Sequence, residues 1–418
     1  MLAGTVFNAR GAEWARDKAL ASYGAVLGLA HALMAVHWTL TRHFPRVLSQ
    51  GEPICWPFWE GCERARVLGE RAISAIFGAY FCLGVAATWF FVRSLRASDL
   101  NASSKDARRA GIVLAVAAGV FALSWVQDFR FRQSQHTTLA WQTAVFLAVP
   151  RARAVLKGLV VLSYAWASTL KFHVEWLSGA ALYGNLWMPQ ALVPAACAYV
   201  VFLELCVSWA LLSKRRWLFW GAFAQFAAFH VMSFAVIEYS YPLLMLGVLW
   251  LFVADRRWPE PPGPRSKRTR AAVWGTFSAC QLVPYAFPGD VALTGEGRLV
   301  AQHMFDAHAV CERRVTVHRT TGVTRFPIPS PDLQPRIVCD PLLLMTQVKH
   351  LCEQLKRDPE FRDLDAFLAS RRKTSTKMTT VVDAKGVCST PLTYDVFRHN
   401  PWILPERDEV IGRVRVGP

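Results

Sequence analysis

The chain has 418 residues, of which 53% are hydrophobic and 18% are charged, and its formal net charge is +17. Soluble domains carry about a quarter charged residues, so this composition argues against an ordinary soluble protein. The Lys and Arg residues fall in short runs between apolar blocks, as in the loops of membrane proteins, and no basic and aromatic stripe marks one domain. We therefore expect membrane lipid as a partner and no nucleic acid.

Nine apolar blocks occur before residue 289. They lie at residues 20–40, 73–92, 110–126, 136–150, 154–172, 189–212, 216–237, 240–254 and 271–288. About 20 apolar residues in a helix cross the hydrocarbon core, and backbone groups in lipid must bond within their own segment. The blocks therefore predict an all-α polytopic membrane bundle of about nine transmembrane helices over residues 1–288, with the fourth and eighth blocks the shortest. Residues 1–18 are polar and mixed in charge, so the first block is expected to be an uncleaved signal anchor.

The positive charges between the blocks predict the orientation of the chain. If the N-terminus is inside, twenty Lys and Arg residues flank the inner ends of the blocks and seven flank the outer ends. Cytoplasmic segments carry such an excess, and the alternation is lost if either short block is left out. We expect an integral protein of the bacterial inner membrane, with a cytoplasmic N-terminus and an extracytoplasmic C-terminus.

Six of the ten cysteines fall on the predicted outside. These are Cys55, Cys62, Cys311, Cys339, Cys352 and Cys388, whereas Cys82, Cys197, Cys206 and Cys280 lie inside apolar blocks. An even number in an oxidising compartment predicts disulfides, whose pairing the sequence leaves open. The spacing fits no zinc-binding pattern, so we expect at least one disulfide and no metal site.

Residues 289–418 predict a small extracytoplasmic α+β domain. Residues 314–326 alternate apolar and polar side chains around Thr321-Gly322, which indicates a hairpin. Residues 340–356 begin with Asp-Pro and repeat apolar residues at helical spacing, which indicates a helix. A second strand pair is expected around Val382 and Val387, with its turn at residues 383–386.

Ionisable residues inside apolar blocks are costly in a membrane, so each is a candidate functional residue. Lys171 lies at the outer end of the fifth block and is followed by His173, Glu175 and Trp176. A desolvated lysine loses its proton more easily and can act as a base near neutral pH. The alternative is an ion pair with Glu175, which lies on the same helical face at a spacing of four residues. The residues alone leave both interpretations open.

Two histidines lie near the same predicted membrane face as Lys171. His136 opens the fourth block, and His230 lies inside the seventh, with Glu238 and Tyr239 two turns later. A single membrane histidine is more often a hydrogen-bonded packing group than a catalyst, but several near one face favour a functional site. His31 and His37 are six residues apart and face different sides of the first helix, so we interpret them as structural.

Lys171 opens a segment, Lys-Phe-His-Val-Glu-Trp-Leu-Ser-Gly, that resembles the Lys-hydrophobe-Asp-x-Asp-Trp-x-x-Gly segment of vitamin K-dependent γ-carboxylases and the wider HTTM membrane family. The segment Gln-His136-Thr-Thr-Leu is similar to that family's Asn-His-x-x-Leu at the start of a span. Phe-His230, with Ser233 three residues later, is similar to its Phe-His-x-x-Asn/Ser segment. The segment Cys-Asp340-Pro, at the start of a predicted helix, also follows the other segments in the same order as in the family. The resemblance covers roughly residues 20–400.

The resemblance implies a membrane enzyme of the carbon–carbon lyase class, in which Lys171 deprotonates a reduced vitamin K-type quinone. In those carboxylases oxygen converts the quinone into a much stronger base, which takes a γ-proton from a glutamate before CO₂ is captured. By resemblance, His136 and His230 would hold the quinone or its oxyanions. The further residues implied at the cofactor site are Trp176, His173, Glu175 and Tyr239.

The Lys171 segment departs from the family at His173 and Glu175, which stand in place of its two aspartates. The expected substrate is an exported peptide or protein, modified by glutamate carboxylation or related chemistry. One alternative is a non-catalytic maturation or immunity partner of a secreted peptide toxin. A transporter is the second alternative, although the chain shows no related halves. The sequence makes no prediction of the oligomeric state.

Overall fold

A computed structural model describes residues 2–50, 54–56, 68–182, 188–262, 266–302, 309–328 and 337–405 of the chain. The described chain is mostly helical and ends in a small antiparallel sheet. The helices share one hydrophobic core, and the sheet and its helix have another. The general prediction of a helical membrane bundle followed by a small α+β region is therefore confirmed.

The helices precede the strands, with one long helix inserted between the second and third strands. In chain order the helices are α1 (Leu2–Arg16), α2 (Lys18–Val36), α3 (Phe44–Gln50), α4 (Glu70–Arg96), α5 (Leu100–Trp125), α6 (Ser134–Ala148), α7 (Arg153–Thr169), α8 (Val174–Leu177), α9 (Val193–Leu205), α10 (Arg216–Ser233), α11 (Ser240–Arg257), α12 (Lys267–Leu282), α13 (Val291–Thr294) and α14 (Pro341–Leu355). The strands are β1 (Ala309–Arg319), β2 (Gly322–Pro327), β3 (Phe361–Arg372) and β4 (Thr379–Ala384). Short helical turns extend α2 to Thr41 and continue α9 to Leu212.

Each of the nine predicted apolar blocks coincides with a helix, namely α2, α4 to α7, and α9 to α12. Within the described ranges, four helical stretches are long and apolar enough to cross a membrane: Lys18–Thr41, Glu70–Arg96, Leu100–Trp125 and Gln190–Leu212. Helices α6, α7 and α12 have 15, 17 and 16 residues, short of the roughly 20 that a membrane span needs. Helices α10 and α11 have 18 residues each and carry arginine at one end. Helix length and composition therefore do not support the count of nine spans.

Small residues allow the helices of the bundle to pack closely. Where α2 crosses α4, a Cβ atom on Gly84 would lie 2.6 Å from the backbone nitrogen of Ala32, and one on Gly28 would lie 2.8 Å from the Gly84 oxygen. Such contacts are typical of helix pairs in membranes, where van der Waals packing replaces burial from water. Helix α1, which the sequence does not predict, packs against α5 in the same way, with Gly111 beneath the Trp14 ring.

One end of the bundle is held by a buried ion-pair cluster. Arg153, at the start of α7, is 1% exposed and contacts Asp17 before α2 and Asp255 near the end of α11. Arg256 donates to the backbone oxygen of Ser213, which precedes α10. All of these segments are predicted from the charge pattern to lie on one side of the membrane.

The opposite end of the bundle carries the C-terminal region. Arg42, after α2, forms an ion pair with Glu238 between α10 and α11. The Phe129 N–H, between α5 and α6, donates to the Ile54 oxygen at 2.7 Å, and both residues belong to one hydrophobic cluster with Leu342 of α14. The segments that follow the first, third and seventh predicted blocks therefore meet at this end.

The C-terminal sheet has the strand order β2-β1-β3-β4, and all its neighbouring strands are antiparallel. The predicted hairpin is confirmed, because β1 pairs with β2 across Thr320-Thr321. The predicted helix is confirmed as α14, which Asp340 caps. The predicted second hairpin is wrong. Val382 lies in β4, which pairs with the unpredicted strand β3, while Val387 lies in the turn after β4.

Two disulfides crosslink this region. Cys311 of β1 bonds to Cys339, just before α14, and Cys352 of α14 bonds to Cys388, after β4. The prediction of at least one disulfide is therefore confirmed. Cys55 is also disulfide-bonded, and Cys62 lies outside the described residues.

Candidate functional site

Lys171 lies in the turn that follows α7, which ends at Thr169. The residue is 5% exposed, and its Nζ lies 2.5 Å from both carboxylate oxygens of Glu204 in α9. Nζ also lies 4.9 Å from the centre of the Trp176 ring, a cation–π contact. Because Glu204 is 0% exposed, the two charged groups are buried together.

An ion pair between Lys171 and Glu175, one of the two interpretations that the sequence leaves open, is not formed. Helix α7 ends before Lys171, and a turn separates it from α8, so the two residues do not share a helical face. Glu175 instead accepts hydrogen bonds from Arg372 Nη1 at 2.9 Å and from the Lys373 N–H at 3.1 Å. Lys171 does belong to an ion pair, but its partner is Glu204.

A cavity of about 320 Å³ lies beside this ion pair. Lys171, Glu204 and Trp176 form its polar end. Apolar side chains line much of the remainder, including Leu182, Val193, Val200, Leu203, Phe229, Val236 and Ile237. Small-molecule sites enclose roughly 300–1,000 Å³ and combine apolar walls with a few placed polar groups. The cavity is therefore suited to a small, mostly apolar ligand.

The cavity reaches the outer surface of the helical bundle. Three of its lining residues, Tyr199, Met232 and Ile237, are 46%, 40% and 37% exposed. Tyr199 lies on α9 and Met232 on α10, and both helices carry other large apolar side chains on their exposed faces. The cavity therefore opens on an apolar face of the bundle.

His230 lies behind one wall of the cavity. It is fully buried, and its Nε2 is 2.7 Å from the Tyr164 hydroxyl. Its Nδ1 has no hydrogen-bond partner within the described part of the chain. Tyr241 lines the cavity, and its ring centre lies 6.0 Å from that of His230. His230 therefore supports the cavity wall and is not one of its lining residues.

His136 belongs to a separate aromatic cluster. Its Nδ1 contacts the Phe131 oxygen, and its Nε2 accepts a hydrogen bond from the Trp38 indole at 2.9 Å. Both ring nitrogens are therefore used within the bundle. Ser134 lines the cavity and His136 does not, so the structure does not bring His136 to the lysine.

Of the four residues implied at the cofactor site, Trp176 lines the cavity, and the other three do not. His173 caps α8 by accepting the Glu175 N–H at 3.2 Å. Burial and the Arg372 guanidinium lower the pKa of His173, so its imidazole is neutral at neutral pH and able to accept this bond. Glu175 is bound by the C-terminal region, and the Tyr239 hydroxyl contacts the end of α2.

Three residues of the site and its surroundings, Glu204, Tyr241 and Arg372, are not identified from the sequence. Glu204 has a usable signal, because it is a carboxylate inside the sixth apolar block, where an ionisable residue is costly. Arg372 has no local signal, because it lies at the end of the unpredicted strand β3.

Among the described residues, no group of three or more His, Cys, Asp or Glu side chains is placed to hold a metal ion. Comparison with family models, curated proteins and solved structures gives no match for the chain. Fold and site therefore define the protein by class. It is a helical membrane protein with an apolar cavity that ends on a buried lysine–glutamate pair.

Proposed function

We propose that this chain is a membrane enzyme similar to the vitamin K-dependent γ-carboxylases, which binds a reduced quinone and modifies an exported peptide or protein. One observation carries the proposal: the polar end of the apolar cavity is the buried Lys171–Glu204 pair. The segment that resembles the family supplies Lys171 and Trp176, and both line this cavity.

The residues of the cavity fit a reduced naphthoquinone. Such a molecule has a flat ring that is mostly apolar, hydroxyl groups on that ring, and a hydrocarbon tail. The cavity offers an apolar lining for the ring, a lipid-facing side for the tail and a polar end for one hydroxyl. Glu204 can accept a hydrogen bond from that hydroxyl, and Lys171 can donate one to its oxygen.

The ion pair gives Lys171 a route to a neutral amine. The Glu204 carboxylate lies 2.5 Å from Nζ and can take the ammonium proton. A neutral Nζ can then accept a proton from an acidic hydroxyl at the polar end, while the apolar walls exclude water. Together with oxygen, a bound reduced quinone would supply the strong base that glutamate carboxylation requires.

We also propose that nine helices cross the membrane, with the N-terminus inside. Two observations support this topology: alternate connecting segments meet at opposite ends of the bundle, and positive charge is concentrated at one end. Helices shorter than the hydrocarbon core are accommodated by local thinning of the bilayer and by flanking residues that reach the interface. The sheet and Lys171 then lie on the outer side, where an exported substrate would meet them.

Quinone bound to the purified protein is the direct test. The protein is taken gently from its native membrane, extracted with solvent and analysed by mass spectrometry. We expect a quinone stoichiometric with wild-type protein, much less with Lys171→Ala, and a full amount with Lys214→Ala, a control at an exposed lysine. Wild-type protein that neither retains a quinone nor takes up an added reduced naphthoquinone would refute the proposal. Bound quinone without quinol oxidation, and without mass added to a co-expressed exported peptide, would favour the non-catalytic maturation partner.

A further inference from the structure

Glu175 ties the cavity to the C-terminal sheet. It is 0% exposed, and residues at the end of β3 bind both of its carboxylate oxygens. Arg372 Nη1 donates to Oε2 at 2.9 Å, and the Lys373 N–H donates to Oε1 at 3.1 Å. The position of Glu175 therefore depends on the docking of the sheet onto the helical bundle.

Arg372 is shared between two carboxylates. Its Nε and Nη2 donate to Asp290, just before α13, at 2.6 and 2.7 Å, while Nη1 binds Glu175. Burial acts to lower the pKa of Arg372, but Asp290 and Glu175 outweigh it, so the pKa is raised. The planar guanidinium reaches both carboxylates at once, which a lysine ammonium cannot reproduce.

Helix α8 connects this cluster to the cavity. It has four residues, too few to hold a helical conformation independently. Glu175 is followed in α8 by Trp176, whose indole N–H donates to the Cys197 oxygen at 3.1 Å. The same indole packs 4.9 Å from Lys171 Nζ. Movement of Glu175 would therefore displace one wall of the cavity.

We propose that Arg372 is a positioning residue of the cavity, because through Glu175 it fixes α8 and thereby the Trp176 side chain against Lys171. The identity of the ligand rests on the proposed function, whereas the contacts of Arg372, Glu175 and Trp176 do not depend on it. Without Arg372, a fully buried carboxylate at Glu175 has lost its cation and is driven toward water. Helix α8 then shifts outward and the cavity opens.

The reactivity of Cys197 reports on this opening, because the residue lines the cavity and is 3% exposed. The full chain in membranes is labelled with N-ethylmaleimide, and the rate at each cysteine is read by mass spectrometry. Arg371→Ala is the matched control, because the Arg371 guanidinium bonds to backbone oxygens of its own turn. We expect Arg372→Ala to raise the Cys197 rate on the order of tenfold, Arg372→Lys to raise it less, and Arg371→Ala to leave it unchanged.

Cys82 in α4 and Cys280 in α12 are internal controls, because they are free thiols on other helices. A rise confined to Cys197 supports the proposal, and an unchanged Cys197 rate in Arg372→Ala overturns it. If all cysteines of Arg372→Ala react faster, the fold of that variant is lost. The test then uses Arg372→Lys, for which a rise confined to Cys197 supports the proposal and an unchanged Cys197 rate overturns it. Separately, a reduced naphthoquinone should slow Cys197 labelling of wild-type protein. Failure of that protection rejects the proposed ligand without affecting the result for Arg372.

Discussion

Substitution of Lys171 by arginine keeps a positive charge beside Glu204 but removes an amine that is able to lose its proton. Arginine stays protonated in proteins, so it can replace Lys171 in an ion pair and cannot replace it as a base. We therefore expect Lys171→Arg to fold and insert while its turnover falls by about 10²–10⁴-fold, the usual contribution of a general base.

Lys171→Ala should lose the same activity with a larger loss of stability. Glu204 is 0% exposed, and removing its partner leaves an unpaired buried carboxylate, which costs about 3–5 kcal/mol. Lys171→Arg retains a partner for Glu204, so its free energy of unfolding should fall by less. The two variants should therefore match in activity and differ in thermal stability in detergent.

Turnover is followed as oxidation of an added quinol or as mass added to a co-expressed exported peptide, and folding is followed by size-exclusion chromatography and thermal unfolding. Lys214→Ala is the control for loss of a lysine charge, because Lys214 is exposed and lies just before α10. Near-normal turnover by Lys171→Arg would refute the reasoning. Lys171 would then be an ordinary ion-pair residue, and the carboxylase resemblance would describe a fold and not a reaction.

Reporter fusions after residues 100, 214 and 262 should lie inside the cell, and a fusion after residue 418 should lie outside it. A C-terminal fusion active only inside the cell would contradict the nine-span proposal. Non-reducing peptide mapping of protein from its native membrane should recover Cys311–Cys339 and Cys352–Cys388. Loss of the second bond by Cys352→Ser should cost about 2–5 kcal/mol, and free thiols at all four positions would contradict an oxidising compartment. His230→Ala removes the partner of the Tyr164 hydroxyl behind the cavity wall. It should therefore weaken quinone binding more than His136→Ala does and less than Lys171→Ala does. Equal losses of quinone binding for the two histidine variants would contradict the separation of their clusters.

The apolar blocks predicted the positions of nine helices, because a segment in lipid must satisfy its own backbone hydrogen bonds. They could not predict which helices are long enough to cross, since the ends of α6 and α7 depend on local capping and packing. The β1–β2 hairpin and α14 were predictable from a short turn and from the Asp340 cap, which are local signals. Strand β3 was not, because the aspartates Asp363 and Asp365 are of a residue type disfavoured in strands and its partner β1 is distant in the chain.

The candidate site was predictable only where its residues are neighbours in sequence. Lys171 and Trp176 lie in one short segment, and both line the cavity. Glu204 follows Lys171 by 33 residues, so their pairing depends on how α7 packs against α9. The alternative of an ion pair with Glu175 assumed a continuous helix, and α7 ends two residues before Lys171. Arg372 joins the site only through the docking of the sheet.

A double substitution of Lys171 and Glu204 separates their chemistry from their contribution to the fold. Replacing both members of a buried ion pair by apolar residues of similar volume is often neutral or stabilising by about 1–4 kcal/mol, and the walls around this pair are mostly apolar. We therefore expect Lys171→Met combined with Glu204→Leu to be more stable than Lys171→Ala, to unfold near the wild-type temperature, and to have no turnover. Thermal unfolding and quinol oxidation, measured on the same preparations, test both expectations. A double variant as unstable as Lys171→Ala would show that the charges hold the turn after α7 against α9. The pair would then be required by the fold, and its burial would no longer argue for a base in the cavity.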